Sequence, residues 1–294
     1  MEKVHIDFRD QISRNKYKSF FLMLGIFIII IVLGYVITLA TDPGYFFVIM
    51  ILASLFSIFY VWLSFYNSHK IAIASVGAKK ASRERDKQYY DLVEGLTIAS
   101  GIPMPKLYIM SSSNINAFAS GRDPHHAVIC VTEGALDKLE KRELEGVLAH
   151  ELGHIASYDM RYMTLVAVGV GMVSIISQIF LRSLWFRGGD RDSKGGAIFM
   201  IIAVALAILA PIVVYFVQMS ISRKREFSAD ASAVKFTRYP GGLIKALKKI
   251  KEEHKEPEKK VSKALAPLFI SNPFKGWGNT HPPLEKRISV LERM

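Results

Sequence analysis

The sequence predicts an α+β protein, mainly α-helical, in which four transmembrane helices are continuous with a cytoplasmic domain that contains a small β-sheet. Apolar residues make up 51% of the 294 positions, and the mean hydropathy is +0.25. Both values are high for a soluble globular protein. Four windows are long enough and sufficiently free of charge to cross a membrane. Outside these windows, short β-prone runs and amphipathic helical patterns indicate a folded domain.

Two of the windows form a first transmembrane hairpin near the N-terminus. They cover residues 20–40 and 45–66, and each contains the roughly 20 uncharged residues that are needed to cross about 30 Å of hydrocarbon. A buried core helix, the alternative interpretation, is seldom this long and apolar. The first window is also too long for the apolar part of a signal peptide. We therefore expect it to be an anchor.

The other two windows form a second hairpin, at residues 163–181 and 197–219. Pro211 in the second of these is compatible with a spanning helix, which tolerates a kink. The hairpins divide the chain into an N-terminal segment, the first hairpin, a central segment, the second hairpin and a C-terminal segment, which cover 1–19, 20–66, 67–159, 160–219 and 220–294.

The distribution of basic residues predicts how the hairpins are oriented in a cell membrane. Lysine and arginine are concentrated in residues 1–19 and 67–87, whereas the turn after the first window carries only Asp42. By the positive-inside rule, the N-terminus, residues 67–160 and the C-terminus of a prokaryotic multi-pass protein would face the cytoplasm. Basic residues in the loop 182–196 oppose this orientation. We attribute much of the net charge of +12 to residues that flank the lipid bilayer, and we expect no nucleic-acid partner.

Local patterns predict the elements of the cytoplasmic domain. Apolar residues recur at helical spacing over 89–99, and "KLYIM" has the composition of a strand. Two β-prone runs, "NINAFAS" and "HHAVICVTEGAL", are joined by "GRDP" and predict a hairpin. Further helices are expected from about Leu136 to Asp159, over "SRKREFSADASAVKF", and at the C-terminus with Leu284, Ile288 and Leu291 on one face.

The segment "VLAHELGHIASYD" carries the strongest indication of chemistry. On a helix, His150 and His154 lie on one face about one turn apart, so both imidazoles can bind one zinc ion at roughly 2.0–2.1 Å. Glu151 lies beside them without being a ligand. In this H-E-x-x-H arrangement the zinc ion activates a water molecule and the glutamate takes its proton. The alternative is a pair of histidines packed on a helix surface.

A catalytic zinc site needs a third protein ligand from another helix. The segment "REFSAD" offers Glu226 and Asp230, four positions apart on a predicted helix that follows a membrane span. One carboxylate would bind the metal and the other would orient a histidine. Two alternatives are open: an ordinary charged helix start, and a third ligand from His125 or His126, which lie at the predicted turn.

Four separate motifs resemble one family. "HELGH", the "NAFA" strand, "EFSAD" after a paired span and "THPPLEKRI" together resemble the HtpX membrane zinc endopeptidases and, more distantly, the type I CAAX prenyl proteases. The resemblance covers nearly the whole chain. It implies a zincin-like catalytic domain with one zinc ion per chain. It implies these roles: zinc ligands His150, His154 and Glu226, general base and acid Glu151, support of a ligand by Asp230, pairing of Arg287 near Asp230, and polarisation of the scissile carbonyl by His281.

The "NAFA" strand also has a physical interpretation. As an exposed sheet edge, Asn116, Ala117, Phe118 and Ala119 would bind an extended peptide by strand addition, with Asn116 bonded to the substrate backbone. The alternative is an ordinary core strand. For His281 the alternative is a loop histidine held by the two prolines that follow it.

The predicted function is that of a membrane zinc metalloendopeptidase. The resemblance implies polypeptide substrates, namely membrane or misfolded proteins, and a role in membrane protein quality control. Two alternatives remain: a membrane scaffold or chaperone without catalysis, and a hydrolase of a lipid-linked or prenylated peptide.

Overall fold

The computed structural model describes residues 8–39, 43–167, 223–253, 268–271 and 282–294. These residues form eight helices that we number in chain order: α1 Phe8–Leu39, α2 Phe46–Ser75, α3 Lys87–Ser100, α4 Glu133–Lys138, α5 Lys141–Ala156, α6 Arg223–Thr237, α7 Pro240–Glu253 and α8 Leu284–Leu291. An unnumbered helical stretch covers 159–167. The strands are β1 Lys79–Lys80, β2 Lys106–Met110, β3 Ala117–Gly121 and β4 Ala127–Thr132. The prediction of a mainly helical α+β fold with a small sheet is confirmed for this part of the chain.

The second predicted hairpin falls largely outside these residues. Of the windows 163–181 and 197–219, only residues 163–167 are described, and they are helical. The loop 182–196 is outside the described part of the chain.

The first predicted hairpin is present as α1 and α2, which are long and apolar enough to cross a membrane. Only 6% of the most apolar window of α2 is buried, and Phe20, Phe47 and Trp62 are 57%, 75% and 55% exposed. A soluble protein rarely leaves so large an apolar surface exposed, whereas lipid would cover it. The two helices therefore have the character of membrane helices.

Both helices extend beyond the windows that the hydropathy predicts. The 32 residues of α1 correspond to about 48 Å, compared with about 30 Å for the hydrocarbon core. Its first turns reach the folded domain, where Asn15 and Ser19 are buried. The last turns of α2 bury Ala72 and Ile73 in an apolar cluster with Val128 of the sheet. The two anchors are therefore continuous with the domain.

The sheet has the strand order β1-β2-β4-β3. Strands β3 and β4 form the predicted antiparallel hairpin, with Ala119 opposite Ile129. Strand β2 runs parallel to β4, and β1 pairs antiparallel with β2. The hairpin prediction is confirmed, and β3 lies at one edge of the sheet, with β1 at the other.

The expectation of an exposed edge at β3 is wrong, because every residue of the strand is buried. The described segment 268–271 lies along the free side of β3. Phe269 forms an antiparallel bridge with Phe118, and the Ile270 amide donates to the Ala117 carbonyl at 2.9 Å. Unpaired backbone groups are costly in a buried place, and this segment satisfies them from within the chain.

The single helix expected from Leu136 to Asp159 is divided in two. The Thr132 hydroxyl accepts a hydrogen bond from the Ala135 amide and starts α4 three residues early. The chain is extended at Leu139 and Glu140. The Glu143 carboxylate then accepts from the Glu140 amide at 2.8 Å, which starts α5. This second helix shares one apolar core with the sheet, α3, α6 and α7.

Candidate metal centre

Three polar side chains are buried together in the second half of α5, the central helix of the domain. His150, Glu151 and His154 are all buried, although polar groups are costly to remove from water unless they have partners. The Nε2 atoms of the two histidines face each other at 3.2 Å. This geometry follows from the four-residue spacing, and it presents two imidazole nitrogens to a single point.

A glycine allows α6 to approach this face of α5 closely. A Cβ atom on Gly153 would be 3.1 Å from both the Cα and the carbonyl oxygen of Ala229, which is tighter than ordinary van der Waals contact. The close approach brings Glu226 of α6 opposite the two histidines. Its Oε2 lies 3.6 Å from His150 Nε2, and its Oε1 lies 3.6 Å from His154 Nε2.

These three residues fit a zinc ion by chemistry and by spacing. One donor atom from each of His150, His154 and Glu226 lies within 4.8 Å of the others, and all three side chains are buried. Ligand atoms at about 2.1 Å from a tetrahedral ion are about 3.4 Å from one another, close to the separations found here. Nitrogen and carboxylate donors suit zinc. Within the described residues, this is the group in which donor atoms from at least three His, Cys, Asp or Glu residues come this close together.

Asp230 and Arg287 support His150. Asp230 Oδ1 lies 2.9 Å from His150 Nδ1, and it also accepts from Arg287 Nη2 at 2.6 Å, while Oδ2 accepts from Nε at 2.9 Å. Burial alone would raise the pKa of Asp230, but the Arg287 guanidinium and His150 hold it well below its usual range. An ionised Asp230 favours the proton on His150 Nδ1 and leaves Nε2 as the metal-binding nitrogen.

The two histidines have different electrostatic surroundings. Burial and the Arg287 guanidinium lower the pKa of His150 to about 4. Burial also acts to lower the pKa of His154, but the carboxylates of Asp159 and Glu226 raise it to about 9. The surroundings of His154 therefore favour a positive charge, which a metal ion held by this residue would supply in place of a proton.

Glu151 has no comparable partner. Its carboxylate is buried, neither oxygen has a side-chain hydrogen-bond partner among the described residues, and the Ala119 backbone amide acts on it to lower its pKa. Burial raises the pKa of Glu151 to about 7, with a further contribution from Glu226. Buried polar groups are nearly always hydrogen-bonded, so such an exception needs an explanation. A carboxylate that titrates near neutral pH beside a metal site has the properties of a general base.

The other residues singled out in the sequence have different positions. His125 and His126 are exposed at the turn between β3 and β4, where His126 Nδ1 is bonded to Asp123 at 2.8 Å. They are not part of the cluster, so the structure does not support either of them as the third ligand. His281 lies outside the described residues.

Asn116 contacts the chain's own segment 268–271. Its Nδ2 donates to the Ser271 carbonyl at 3.0 Å, and its Oδ1 accepts from the amides of Ala117 and Ser271 at 3.1 and 3.4 Å. Arg287 Nη1 also donates to the Ile270 carbonyl at 3.2 Å. The segment thus connects the sheet edge to the metal centre. No local pattern in the sequence indicates this connection.

Comparisons with known proteins agree with this geometry. Residues 83–294 match Peptidase family M48. A protein described as "Protease HtpX homolog" from Caldanaerobacter subterraneus subsp. tengcongensis is 41% identical over 267 residues, which cover 85% of this chain and 89% of that protein. A protein of the same description from Dictyoglomus thermophilum is 39% identical over 292 residues, which cover 98% and 95%.

Among solved structures, S. mikatae Ste24p aligns with 95% of this chain at 20% identity and a TM-score of 0.49. This chain spans 65% of the length of that structure.

The match to the peptidase family extends from just before α3 to the last residue of α8 and beyond, so it contains the whole candidate metal centre. The relatives align over nearly the full length of the chain. The chain therefore belongs to peptidase family M48 and is a metalloendopeptidase.

Proposed function

We propose that this membrane metalloprotease holds one zinc ion per chain between His150, His154 and Glu226, and hydrolyses internal peptide bonds of membrane or misfolded proteins. One observation carries the proposal. Three donor atoms of the types that zinc prefers converge in a buried site, and the carboxylate beside them, Glu151, has no side-chain hydrogen-bond partner in the described part of the chain. The arrangement leaves room for a reaction centre rather than for a closed structural site.

The chain's own residues supply the proton transfers. A bound zinc ion would lower the pKa of a coordinated water and polarise the substrate carbonyl. Glu151 then accepts a proton from the attacking water and delivers it to the nitrogen of the leaving amine. Its pKa of about 7 suits both steps, since a group with a pKa near the working pH can take up and release a proton. Asp230 and Arg287 keep His150 in the orientation that the site requires.

The edge of β3 is the proposed binding surface for the peptide, through Asn116, Ala117, Phe118 and Ala119. One antiparallel bridge and one backbone hydrogen bond from segment 268–271 support the proposal, because they use backbone groups at this edge that a peptide could use. A substrate would use the same backbone groups in place of that segment. Main-chain hydrogen bonds favour extended peptides with little dependence on their sequence, as unfolded substrates require.

His281 is proposed to polarise the scissile carbonyl, on the basis of the family resemblance. It directly precedes Pro282 and the helix α8, which brings Arg287 to the metal centre. Exchanging His281 for glutamine would test this role: a loss in kcat with an unchanged zinc content is the expected result.

For the membrane topology we propose four spans with the catalytic domain in the cytoplasm. The exposed apolar surfaces of α1 and α2 and the basic residues that flank them support this arrangement. Cysteine labelling on a Cys130→Ser background tests it. The proposed orientation would be wrong if a probe at position 190 were protected from an impermeant reagent while one at position 255 reacted from outside.

The decisive experiment for the function compares zinc content and cleavage for protein purified in detergent. The wild type should contain one zinc ion per chain and cleave casein or a membrane protein, and Glu151→Gln should retain zinc without cleavage. A wild type that binds zinc and cleaves neither substrate would favour the scaffold alternative. Cleavage restricted to prenylated peptides would favour the lipid-linked alternative.

A further inference from the structure

A second buried polar cluster lies behind the metal centre. It consists of Asn15 on α1, Ser157 just after α5, and Asp159 at the start of the helical stretch 159–167, and all three side chains are buried. The sequence pattern places Asn15 in the N-terminal segment 1–19, before the first membrane window, and ends a predicted helix at Asp159. The contacts of the cluster indicate a different role for both residues.

The Asp159 carboxylate is held from several directions. Asn15 Nδ2 donates to Oδ1 at 2.6 Å, and the Ser157 hydroxyl donates to Oδ2 at 2.7 Å. Arg225 Nε lies 3.7 Å from Oδ1. Asn15 Nδ2 also donates to the Ser157 carbonyl at 3.0 Å, which fixes the amide in place. Burying a carboxylate is costly in free energy unless it is hydrogen-bonded in this way. The cluster is therefore a specific part of the folded structure rather than a chance surface contact.

One oxygen of this carboxylate, Oδ2, accepts from Ser157 and also faces His154. Asp159 Oδ2 lies 3.5 Å from His154 Nδ1, on the opposite ring nitrogen from the Nε2 atom that faces Glu226. The arrangement resembles that of His150, whose Nε2 also faces Glu226 and whose Nδ1 lies closer to its carboxylate, at 2.9 Å from Asp230 Oδ1. A histidine that binds a metal through Nε2 carries its proton on Nδ1 and is oriented by the group that accepts that proton.

We propose that Asp159 is the positioning residue of His154 and that Asn15 holds Asp159 in place, so that the first turns of α1 are a structural part of the metal centre. The inference rests on the proposed zinc ligation by His154. The part of α1 that precedes the first membrane window would then have a function, which is to hold Asp159 in place. The chain of contacts runs from Asn15 to Asp159 and from there to His154, across 144 positions of sequence.

The test measures zinc affinity by chelator competition on full-length protein in detergent, together with the thermal unfolding of the metal-free protein. We expect Asp159→Asn to weaken zinc binding by about 10–100-fold, the usual effect of removing a partner of a metal-binding histidine. Asn15→Ala should weaken it in the same direction by a smaller factor. Excess zinc should restore part of the peptidase activity in both variants, since no catalytic group is removed.

Arg14→Ala is the matched control, because Arg14 is an exposed neighbour of Asn15 on the same helix. It should bind zinc like the wild type. The double variant, with Asn15→Ala and Asp159→Asn, should bind zinc no more weakly than Asp159→Asn alone. Both substitutions remove contacts in the same series from Asn15 through Asp159 to His154, so their effects should not add. If Asp159→Asn does not fold, Asn15→Ala decides: weaker zinc binding supports the inference.

Wild-type zinc affinity in Asn15→Ala and Asp159→Asn, with only a lower unfolding temperature, would overturn the inference and reduce the cluster to a packing role. This outcome differs from a failure of the proposed function. In that case the wild type itself would bind no zinc, or Glu226→Ala would retain it.

Discussion

Arg287 and Asp230 form a fully buried ion pair in which the guanidinium donates to both carboxylate oxygens, at 2.6 and 2.9 Å, although the residues are 57 positions apart. The same guanidinium reaches the Ile270 carbonyl and lies 3.4 Å from Glu226 Oε2. Arg287 therefore joins α8, α6 and the segment along β3. It is fully buried beside the three candidate zinc ligands.

Removing this guanidinium should destabilise the protein strongly. Arg287→Met leaves the Asp230 carboxylate buried without its main partner, and breaking a buried pair in this way costs about 3–5 kcal/mol. We expect a markedly lower unfolding temperature in detergent and weaker zinc binding. Arg293→Met, which changes an exposed arginine near the C-terminus, is the control and should unfold like the wild type. Equal unfolding temperatures for the two variants would contradict the assignment.

The identity of the third ligand leads to a second prediction. Glu226→Ala removes one of the three converging donors, so the purified variant should lose its zinc. Glu285→Ala, which removes an exposed carboxylate, should keep it. If Glu226→Ala retains one zinc per chain while His125→Ala or His126→Ala loses it, the ligand set proposed here is incorrect.

The third prediction concerns the contact between α5 and α6. In Gly153→Ala the new methyl group would lie 3.1 Å from Ala229 backbone atoms, so α6 must shift by a few tenths of an ångström and carry Glu226 with it. We expect weaker zinc binding in chelator competition while the helical content is unchanged. Gly95→Ala is the matched control, since a Cβ atom there meets nothing within 4 Å. This control should be neutral or slightly stabilising, because alanine favours helix over glycine by up to about 1 kcal/mol.

The fourth prediction tests whether peptides use the edge of β3. Ile270→Pro removes the amide that donates to the Ala117 carbonyl, whereas Ile270→Ala shortens the same side chain and keeps that amide. If a substrate replaces segment 268–271 on β3, the proline variant should have the lower KM for an extended peptide. Equal KM values for both variants would indicate that the segment is a permanent strand and that peptides bind elsewhere.

The sequence is informative where the chemistry is local. His150 and His154 converge because four residues make about one helical turn, and the spacing alone predicts this. Glu226 lies on a later helix, so its assignment needed an argument from topology and from resemblance. The contacts from Asn15 to Asp159 and from Asn116 to Ser271 join residues 144 and 155 positions apart. Each depends on the packing of separate elements, and neither leaves a periodic signal in the sequence.

The last prediction concerns Glu151 and begins with the pH dependence of cleavage. A general base acts when it is ionised, and burial raises the pKa of Glu151 to about 7. Activity should therefore be present at higher pH and should fall as the pH decreases through the pKa. A bound cation favours the ionised carboxylate, so we expect the midpoint of this fall in activity at or below a pH of about 7. Zinc content must be measured at each pH, because protonation of the histidines also releases metal.

The Glu151→Gln variant distinguishes the fall in activity caused by protonation of Glu151 from a fall caused by loss of zinc. The amide keeps the size of the side chain and cannot accept the proton, so neither the fold nor the three zinc donors have a reason to change. Loss of general acid–base assistance typically costs about 10²–10⁴ in rate, and we expect at least that loss in kcat with one zinc still bound. The residual activity should no longer decrease as the pH falls through neutrality. Wild-type turnover by Glu151→Gln would exclude Glu151 as the base, whereas a loss of zinc from this variant would make it a ligand instead.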